Sequence, residues 1–474
     1  MNFKLFINLL FVFAVQAVHA QPNSSVEFYC SDAELEKGFA WARHQALAYV
    51  NDKNDPVGPW YEASLPGRDA FCMRDVSHQL IGANVLGLAH INKNLLQKFA
   101  KSIAASRDWC GYWEIDKLDR PAPVDYKNDQ DFWYNLPANF DVIDACYRQY
   151  LWTGDDLYLN DPAFRNFYMR SCDDYVKQWD KNGDGIMEGT FASKPTYRGI
   201  GSYNEEQEGI TGSDLIGAQF IGYRAYADLL DLASKDNHPN AKAYRAQAEA
   251  LQENFIYAWW DVKENFPFQF LKKDGSKIHN NPLQLFLLRW NMLHGDRAKR
   301  ILNVLLQERS KMNVEMFSYF PLEQFRYGND HTKAIILLKE LMSPNLKRRE
   351  YPEVSYAALE ATAMGLMGIQ PDASKNSIIT LPRLTSNMTA EIKHLPILKT
   401  ILTIKHGPNR TTLINEGNES IYWKACLNGT FINFSVNTSR MPAQWEKSMS
   451  EHTISFVTVE VKPGEHLQVE PIPN

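Results

Sequence analysis

The feature that most constrains this chain is a helical spacing of apolar residues that recurs from about residue 35 to residue 370. Apolar side chains three and four positions apart give each segment one face for a core, and polar, Gly-rich or Pro-rich breaks separate the segments. Helix therefore follows helix, which is typical of stacked helical hairpins. The predicted helices cover 33–50, 77–106, 139–152, 161–179, 213–233, 241–259, 283–305, 331–341 and 355–367.

The pattern changes after Gly368, where Pro371, Pro382 and Pro396 precede runs rich in Ile, Thr, Val and Phe. These runs alternate or cluster apolar residues, and Asn-Gly or Glu-Gly pairs mark turns between them. The pattern predicts a β-sandwich of about 90 residues. The predicted strands cover 400–406, 411–414, 420–426, 431–436 and 453–461.

The first residues have the pattern of an export signal, with Lys4 as the positive start, an apolar run over 5–15 and a small-residue cleavage site at 18–20. The run is too short for a membrane span, and no later stretch reaches the roughly 18 apolar residues that a span needs. We therefore expect an exported protein, periplasmic or secreted, without a membrane span. The predicted boundaries are a signal peptide at 1–20, a helical domain at 21–372 and a β-sandwich domain at 373–474.

Composition and missing motifs exclude several classes of protein. The chain has 474 residues, 45% of them hydrophobic, so it can bury a large core. Its formal net charge of -6 is small for this length. No Lys/Arg cluster is interleaved with aromatic residues, and we expect no nucleic-acid partner. The absence of GxSxG, phosphate-loop, dinucleotide and HExxH motifs argues against esterase, nucleotide-dependent and zincin chemistry. Oligomeric state stays open.

The sequence predicts no cofactor, and whether a metal such as calcium assists stays open. Its six cysteines are widely spaced and include no CxxC pair for zinc; one or two disulfides and free buried thiols are both compatible with that spacing. Residues 180–185 begin like a calcium-binding loop, but Phe191 occupies the position of the bidentate Glu, so a Gly-rich turn is the better interpretation.

Three acidic stretches stand before predicted helices. Their sequences are GRDAFCMRD at 67–75, SYNEEQEG at 202–209 and RREYPEVSY at 348–356. With the helical region and the sandwich after it, they resemble the six-hairpin glycosidase superfamily, in particular its rhamnosidase-like and α-glucosidase-like members. The resemblance covers most of the chain. It implies a mainly α fold, an (α/α)6 toroid of helical hairpins with a C-terminal β-sandwich domain, and glycoside hydrolase activity.

The resemblance also implies a role for each stretch. The first matches the place where an acidic pair with a basic neighbour meets the terminal sugar; Arg68 stands where an acid would align, which leaves Asp69 and Asp75. The second matches the loop of the general acid, although the superfamily commonly has Asp where this chain has Glu205 and Glu206. The third matches the place of the catalytic base.

Glycoside hydrolysis needs one protonated and one ionised carboxyl group on opposite sides of the scissile bond. We predict Glu206 as the acid, because the crowded carboxylates of 205–208 repel one another and one of them can stay protonated. Glu205 and Glu208 are rivals, and a solvated acidic turn is the structural alternative.

For the base we predict Glu350, since the adjacent Arg349 would keep it ionised. Glu353 is the alternative, and a surface ion pair is the structural explanation to be weighed against both. Asp69 and Asp75 could also supply the acid, although we favour sugar binding for them.

Other residues are predicted to bind the substrate. Arg68 and Arg74 can form bidentate pairs with carboxylates, and with His78 they could hold the carboxylate of a uronic acid. In the loop 109–137, aromatic side chains offer flat faces for sugar rings and acids accept hydroxyl hydrogen bonds; sealing of the hairpin ends is the structural alternative. The predicted substrate-binding residues are Arg68, Arg74, His78, Trp113, Asp131, Trp133, Tyr134 and Tyr203.

The sequence thus predicts an exo-acting, inverting glycoside hydrolase with a carbohydrate substrate. A polysaccharide lyase or sugar epimerase is the second hypothesis, with Tyr203, His78 and Arg74 available for proton abstraction beside a carboxylate. A non-catalytic glycan-binding protein is the third. The sugar and its linkage stay open.

Overall fold

The computed structural model describes residues 24–51, 54–189, 209–234, 238–279 and 284–473. The part of the chain before residue 367 is mainly helical and the part after it is built of strands, as the sequence predicts. In the described ranges, no helix combines the length and the apolar character that crossing a membrane requires. The predicted signal peptide lies outside these residues.

The α-helices are numbered here in chain order. They are α1 Ala33–Ala48, α2 Met73–Val85, α3 Ala89–Ser102, α4 Ala138–Thr153, α5 Leu157–Asn160, α6 Pro162–Arg170, α7 Val176–Trp179, α8 Ser213–Ser234, α9 Pro239–Asn254, α10 Leu285–Arg289, α11 Gly295–Gln307, α12 Val314–Tyr327, α13 His331–Met342 and α14 Pro352–Glu360. Turns of π-helix continue α6, α9 and α14 over Ser171–Tyr175, Phe255–Trp259 and Ala361–Leu366.

Two of the predicted helices are divided in the structure, and two α-helices, the short α5 and the longer α12, were not predicted. Gly87, at φ +80°, separates α2 from α3 inside the predicted segment 77–106, because this left-handed conformation ends a helix. Asn291, at φ +56°, lies between α10 and α11 inside the segment 283–305. Helix α12 contains Pro321, a residue that is unfavourable inside a helix and therefore argues against a helix when only the sequence is considered.

Six helices, called the ring helices below, form a closed circuit of contacts. Each contacts the next in the order α2, α4, α8, α10, α12 and α14, and α14 contacts α2 again. The approach of α14 to α2 requires a glycine, because a Cβ on Gly82 would lie 2.1 Å from the Tyr356 carbonyl oxygen. Helices α1, α3, α9, α11 and α13 each contact one or two ring helices.

The strands carry their own numbers. They are β1 Glu27–Cys30, β2 Val50–Asn51, β3 Trp60–Tyr61, β4 Ala70–Cys72, β5 Glu114–Asp116, β6 Tyr126–Asn128, β7 Asp131–Phe132, β8 Gly209–Gly212, β9 Trp260–Asp261, β10 Phe266–Pro267, β11 Phe270–Lys272, β12 Lys277–Ile278, β13 Ile369–Asp372, β14 Ser377–Thr380, β15 Ala390–Ile397, β16 Thr400–Gly407, β17 Arg410–Asn415, β18 Ile421–Asn428, β19 Asn433–Val436, β20 Ser439–Pro442, β21 Gln444–Lys447, β22 Thr453–Val461 and β23 His466–Pro471.

Most of the later strands form two sheets. One has the order β1-β15-β16-β17-β23-β19-β20, and the other the order β13-β14-β18-β22-β21. The sheets contact each other, since the side-chain amide of Asn415 in the first donates to the carbonyl of Val461 in the second at 3.1 Å. The first strand of the described chain pairs with β15, with Glu27 opposite Lys393. The N-terminal segment therefore contributes to the C-terminal sheets, a contribution that the predicted domain boundaries do not include.

Buried polar contacts join the sheets to the helices. The indole of Trp152 in α4 donates to the carbonyl of Pro396 at 3.0 Å, and Arg383 donates to the carbonyls of Met364 and Gly365 at 3.1 and 2.9 Å. Arg383 thus caps the C-terminal end of the helix that continues α14, where a cation is favourable. All six cysteines are free thiols, and only Cys30 is partly exposed.

Candidate active site

Acidic residues occupy the first turns of five of the ring helices. Carboxylates are stabilised at helix N-termini by the exposed N–H groups and the helix dipole. Four of the five are buried, which is rare for acids without a function or a strong partner. These residues are Asp75 in α2, Asp141 in α4, Asp214 in α8, Glu315 in α12 and Glu353 in α14.

A cavity of about 340 Å³ lies at the N-terminal ends of α2 and α12, and it is called the helix-end cavity below. Acids, arginines and aromatic side chains contribute to its wall, a mixture that suits a polar ligand with flat apolar faces. The lining residues are Ser64, Leu65, Arg68, Cys72, Arg74, Asp75, Trp113, Glu114, Asp125, Trp133, Glu315, Arg348 and Tyr351.

One wall of the helix-end cavity holds a pair of acids beside an arginine. Strand pairing places Glu114 opposite Cys72, at the end of the strand that leads into α2. Arg68 lies 3.4 Å from Glu114 and 3.8 Å from Asp125. Burial, reinforced by Asp125, raises the pKa of Glu114 to about 8, even though Arg68 acts in the opposite direction. Glu114 is therefore a carboxyl group that keeps its proton at neutral pH.

A second acidic pair joins α2 to α14. Burial raises the pKa of Asp75 and, together with the charge of Asp75, raises that of Glu353 well above its ordinary value. The Nε of Arg74 lies 3.4 Å from Asp75, and the hydroxyl of Tyr319 donates to Glu353 Oε1 at 2.7 Å. Two buried acids that repel each other cannot both ionise easily, so the pair holds a proton.

The aromatic residues of the cavity are held by charged and backbone groups. The guanidinium of Arg74 lies 5.5 Å from the centre of the Trp113 ring, and the backbone N–H of Trp133 donates to the carbonyl of Asp125 at 2.6 Å. Trp113 and Trp133 both line the cavity, as their predicted role in stacking against sugar rings requires.

His78 and Asp141 lie in the interior rather than in the cavity wall. His78 Nε2 is 3.7 Å from Asp141 Oδ1, and the imidazole packs against Phe286 and Tyr319 with ring centres 5.0 and 5.1 Å apart. Burial, reinforced by nearby arginines, lowers the pKa of His78 well below its ordinary value. His78 is thus a neutral side chain that packs between ring helices.

Four other predicted residues do not line the helix-end cavity. Asp69 is exposed and pairs with Lys117 at 2.6 Å, and Asp131 pairs with Lys127 at 3.0 Å. Tyr134 is buried against Trp179, with ring centres 4.9 Å apart.

Glu350 is the fourth of these residues, and its side chain is exposed. Arg349, the cation that was expected to keep Glu350 ionised, makes other contacts. Its guanidinium lies 3.6 Å from the centre of the Trp41 ring and donates to the Met342 carbonyl at 2.6 Å. The roles of Asp69, Asp131, Tyr134 and Glu350 stay predictions.

Residues 202–208 of the second acidic stretch lie outside the described residues, and four of them are predicted site residues. Helix α8, which that stretch was expected to precede, begins at Ser213. The residues concerned are Tyr203, Glu205, Glu206 and Glu208.

Sequence reasoning missed Glu114, Asp125 and Glu315, which all line the cavity. Glu114 follows Trp113 directly, and Asp125 lies in the same acidic and aromatic loop, so the composition of that loop was a usable signal. Glu315 is the first acid of a helix that was not predicted, and it had no signal of its own.

In the turn at 180–185, acidic side chains accept hydrogen bonds from backbone N–H groups of the same turn. Asp180 accepts hydrogen bonds from the N–H groups of Gly183 and Gly185 at 2.8 and 2.9 Å. Asp184 and Glu188 bring carboxylate oxygens within 4.8 Å of one another and of Asp180. These contacts are those of a Gly-rich turn, the interpretation that the sequence favours.

Comparison of folds relates the chain to known carbohydrate-active proteins. It superposes on a GH78 family rhamnosidase of Bacillus sp. GL1 with a TM-score of 0.60 and 16% identity, over 85% of this chain and 43% of that one. It superposes on an α-L-rhamnosidase from Dictyoglumus thermophilum with a TM-score of 0.58 and 13% identity, over 94% and 50%. A candidate kojibiose phosphorylase from the human microbiome gives 0.54 and 9%, over 93% and 68%.

No protein-family model matches the chain, and no curated protein matches it by sequence. The chain spans half or less of the length of the two rhamnosidases. The superpositions show that the chain shares the fold of these rhamnosidases over most of its length, and they confirm the predicted resemblance at the level of the fold.

Proposed function

We propose that the protein is a glycoside hydrolase that binds a terminal sugar in the helix-end cavity and hydrolyses its glycosidic bond with inversion of configuration. The observation that carries the proposal is the combination, in one cavity, of a protonated acid, Glu114, with further carboxylates from the first turns of ring helices. In this proposal the circuit of ring helices is the inner layer of an (α/α)6 toroid, and the two sheets form a β-sandwich.

Glu114 is the candidate for the general acid among the described residues. A general acid must be protonated at the working pH and must lie where the leaving oxygen departs. Its pKa of about 8, raised by burial and by Asp125, meets the first condition, and its place in the cavity wall supports the second. Glu206, predicted from sequence, is the rival for this role, with Glu205 and Glu208 beside it.

Asp75 is the candidate for the base that activates water. The charge of Asp75 helps to raise the pKa of Glu353, and the hydroxyl of Tyr319 donates to Glu353 Oε1 at 2.7 Å. Asp75 lines the cavity beside Arg74, so negative charge is better stabilised on Asp75 than on Glu353. In this proposal Glu353 keeps the proton and Asp75 ionises. Glu350 is the base predicted from sequence and is the competing assignment.

The remaining cavity residues bind and orient the sugar in this proposal. The faces of Trp113 and Trp133 stack against its C–H groups, and Arg68 and Arg74 donate to its hydroxyls. A cavity, as opposed to a long open cleft, suits a chain end, which supports exo action. The predicted export signal supports a reaction in the periplasm or outside the cell.

The test uses aryl glycosides that differ in the acidity of the leaving group. Glu114→Gln should lower kcat/KM by about 100- to 10,000-fold on a poor leaving group such as phenol. It should lower it far less on dinitrophenol, which departs without a proton. Asp75→Asn should lower both rates alike, since water activation is needed in either case.

Glu62→Gln is the matched control. Glu62 is another acid whose pKa is raised by burial, but it lies outside the cavity and accepts hydrogen bonds from the backbone of Arg68 and Asp69. An amide oxygen can accept the same bonds, so activity should persist. The assignment of Glu114 fails if Glu206→Gln shows the leaving-group dependence and Glu114→Gln does not. Release of a sugar with retained configuration in the NMR spectrum would contradict inversion.

A further inference from the structure

A second cavity of about 610 Å³ lies between the start of α12, the end of α13 and the segment that follows α13. It is called the α12–α13 groove below. Its floor is partly apolar, with Met312, Phe317 and Leu346, and its polar wall includes Arg309, Lys347 and Arg348. Apolar surface beside charged donors is the combination that a sugar ring with an ionic substituent would use.

The α12–α13 groove adjoins the helix-end cavity. Arg348 lines both, and Glu315 of the cavity directly follows Val314 of the groove. Arg348 Nη1 lies 3.3 Å from Glu315 Oε1, with side chains 48% and 22% exposed. An ion pair this exposed contributes little to stability, so it can open for a ligand at low cost.

The backbone of Arg348 supports a role at this junction. Its φ of +59° lies in the left-handed region, which an arginine adopts only where surrounding contacts hold it. The carbonyl of Arg348 accepts a hydrogen bond from the Tyr351 N–H at 3.0 Å, and its guanidinium lies 4.5 Å from the centre of the Tyr351 ring. These contacts direct the arginine to the boundary between cavity and groove.

Positive charge exceeds negative charge along the groove. Arg309, Lys347 and Arg348 line it, with Glu340 as the opposing carboxylate. Glu340 is already paired with Arg309, whereas Lys347 is exposed and makes no ion pair within the described part of the chain. The groove can therefore accept an anionic group without leaving a buried charge unpaired.

We propose that the α12–α13 groove binds the part of the substrate beyond the scissile bond, and that the sugar unit there carries a carboxylate or sulfate group. The inference rests on the proposed glycoside hydrolase activity, because it assigns the terminal sugar to the helix-end cavity. It adds the substrate class: an acidic oligosaccharide whose charged unit lies on the leaving-group side.

Titration calorimetry on the full chain tests this inference with matched pairs of probes. The carboxylate arm compares oligogalacturonides with their neutral methyl esters, and the sulfate arm compares oligosaccharides of a sulfated galactan that lacks uronic acids with their neutral, desulfated forms. Lys347→Gln and Arg348→Gln should each weaken binding of the preferred acidic probe by about tenfold, as expected for one lost charge-assisted contact. The neutral partner of that probe should bind to the native protein at least as weakly as the acidic probe binds to either variant.

Lys333→Gln is the control, because Lys333 is exposed on the neighbouring α13, outside the groove, and is 4.0 Å from Asp330. It makes the same change in net charge and should leave affinity unaltered. The inference is overturned if no acidic probe binds better than its neutral partner, or if all three variants weaken binding alike. Glu114→Gln should still bind the acidic probe, so lost hydrolysis with retained binding separates the two proposals.

Discussion

The two sheets bury polar side chains against hydrogen-bond partners, whereas the N-terminal ends of the ring helices bury carboxyl groups beside one another. In the sheets, buried His406 contacts the Met367 carbonyl at 3.0 Å and the Thr411 hydroxyl at 2.8 Å. At the helix ends, Asp75 and Glu353 are mutually repelling acids whose pKa values are raised by burial.

The buried polar groups of the sheets are compatible with a stable fold because they are hydrogen-bonded, whereas the adjacent acids at the helix ends lower the free energy of unfolding. Burial of a partnered imidazole is close to neutral in free energy, whereas burial of adjacent acids is unfavourable unless one of them is protonated. Clusters of perturbed acids beside a cavity are typical of active sites. The comparison therefore supports the proposed site at the helix ends and a structural role for the buried polar groups of the sheets.

The largest expected effect on stability concerns the charges buried among the ring helices. Arg289 Nη2 lies 3.2 Å from Glu360, with side chains 6% and 5% exposed. Arg289→Met should lower the free energy of unfolding by about 3–5 kcal/mol, because it leaves the carboxylate of Glu360 buried without its cation. Urea denaturation followed by circular dichroism measures the change.

The double variant Arg289→Met with Glu360→Met is the control for that experiment. Removing both charges should restore most of the lost stability, since an apolar pair carries no desolvation cost. If the double variant is as unstable as the single one, the loss of stability comes from packing and not from an unpaired buried charge. In that case the buried charges of the ring helices cost no more free energy than the buried polar groups of the sheets.

The next effect is smaller at any single step of pH and should appear in the pH dependence of stability. Because burial and Asp125 raise the pKa of Glu114 to about 8 from an ordinary 4.5, the folded state holds a proton that the unfolded state has released. The stabilisation is complete below pH 4.5 and is lost as the pH rises through 8. Relative to Glu114→Gln, the native protein should lose about 1.4 kcal/mol of unfolding free energy per pH unit in that range.

Asp125→Asn sharpens this experiment. Without the charge of Asp125, the pKa of Glu114 should fall, so the break in the stability curve should move to lower pH. Parallel stability curves for the native protein and Glu114→Gln between pH 5 and pH 8 would mean that Glu114 ionises normally. In that case Glu114 would not belong with the acids whose pKa is raised by burial, and the contrast between helix ends and sheets would not include it.

The order of helices and strands was predictable because it depends on local periodicity. The succession from helices to strands near residue 368 follows from the spacing of apolar residues and from the prolines after it. Helix α12 escaped prediction because Pro321, which lies inside it, is ordinarily a signal that a helix ends or is interrupted. The pairing of β1 with β15 escaped it because no local signal connects strands more than 350 residues apart.

The candidate site was predictable where its residues belong to the stretches that precede helices. Arg68, Arg74 and Asp75 were found because an acidic and basic stretch leads into a helix. Glu114 was not chosen, because its raised pKa depends on strand pairing with Cys72 and on Asp125, which are tertiary relations. The sequence could likewise not reveal that Arg349 turns toward Trp41 and away from Glu350.

The smallest expected effect is at an ion pair on the sheet surface. Lys424 Nζ lies 2.6 Å from Glu446, whose side chain is 41% exposed, and Lys424 also lies 3.9 Å from the centre of the Phe456 ring. Glu446→Gln leaves that ring contact intact and should lower the free energy of unfolding by about 0–1 kcal/mol. Thermal denaturation at low and high salt should show this small difference shrinking as salt screens the pair. A loss of unfolding free energy as large as that of Arg289→Met and unchanged by salt would contradict the contrast between the sheets and the helix ends. It would show that the sheets also contain a strongly desolvated ion pair, because only such a pair escapes screening by salt.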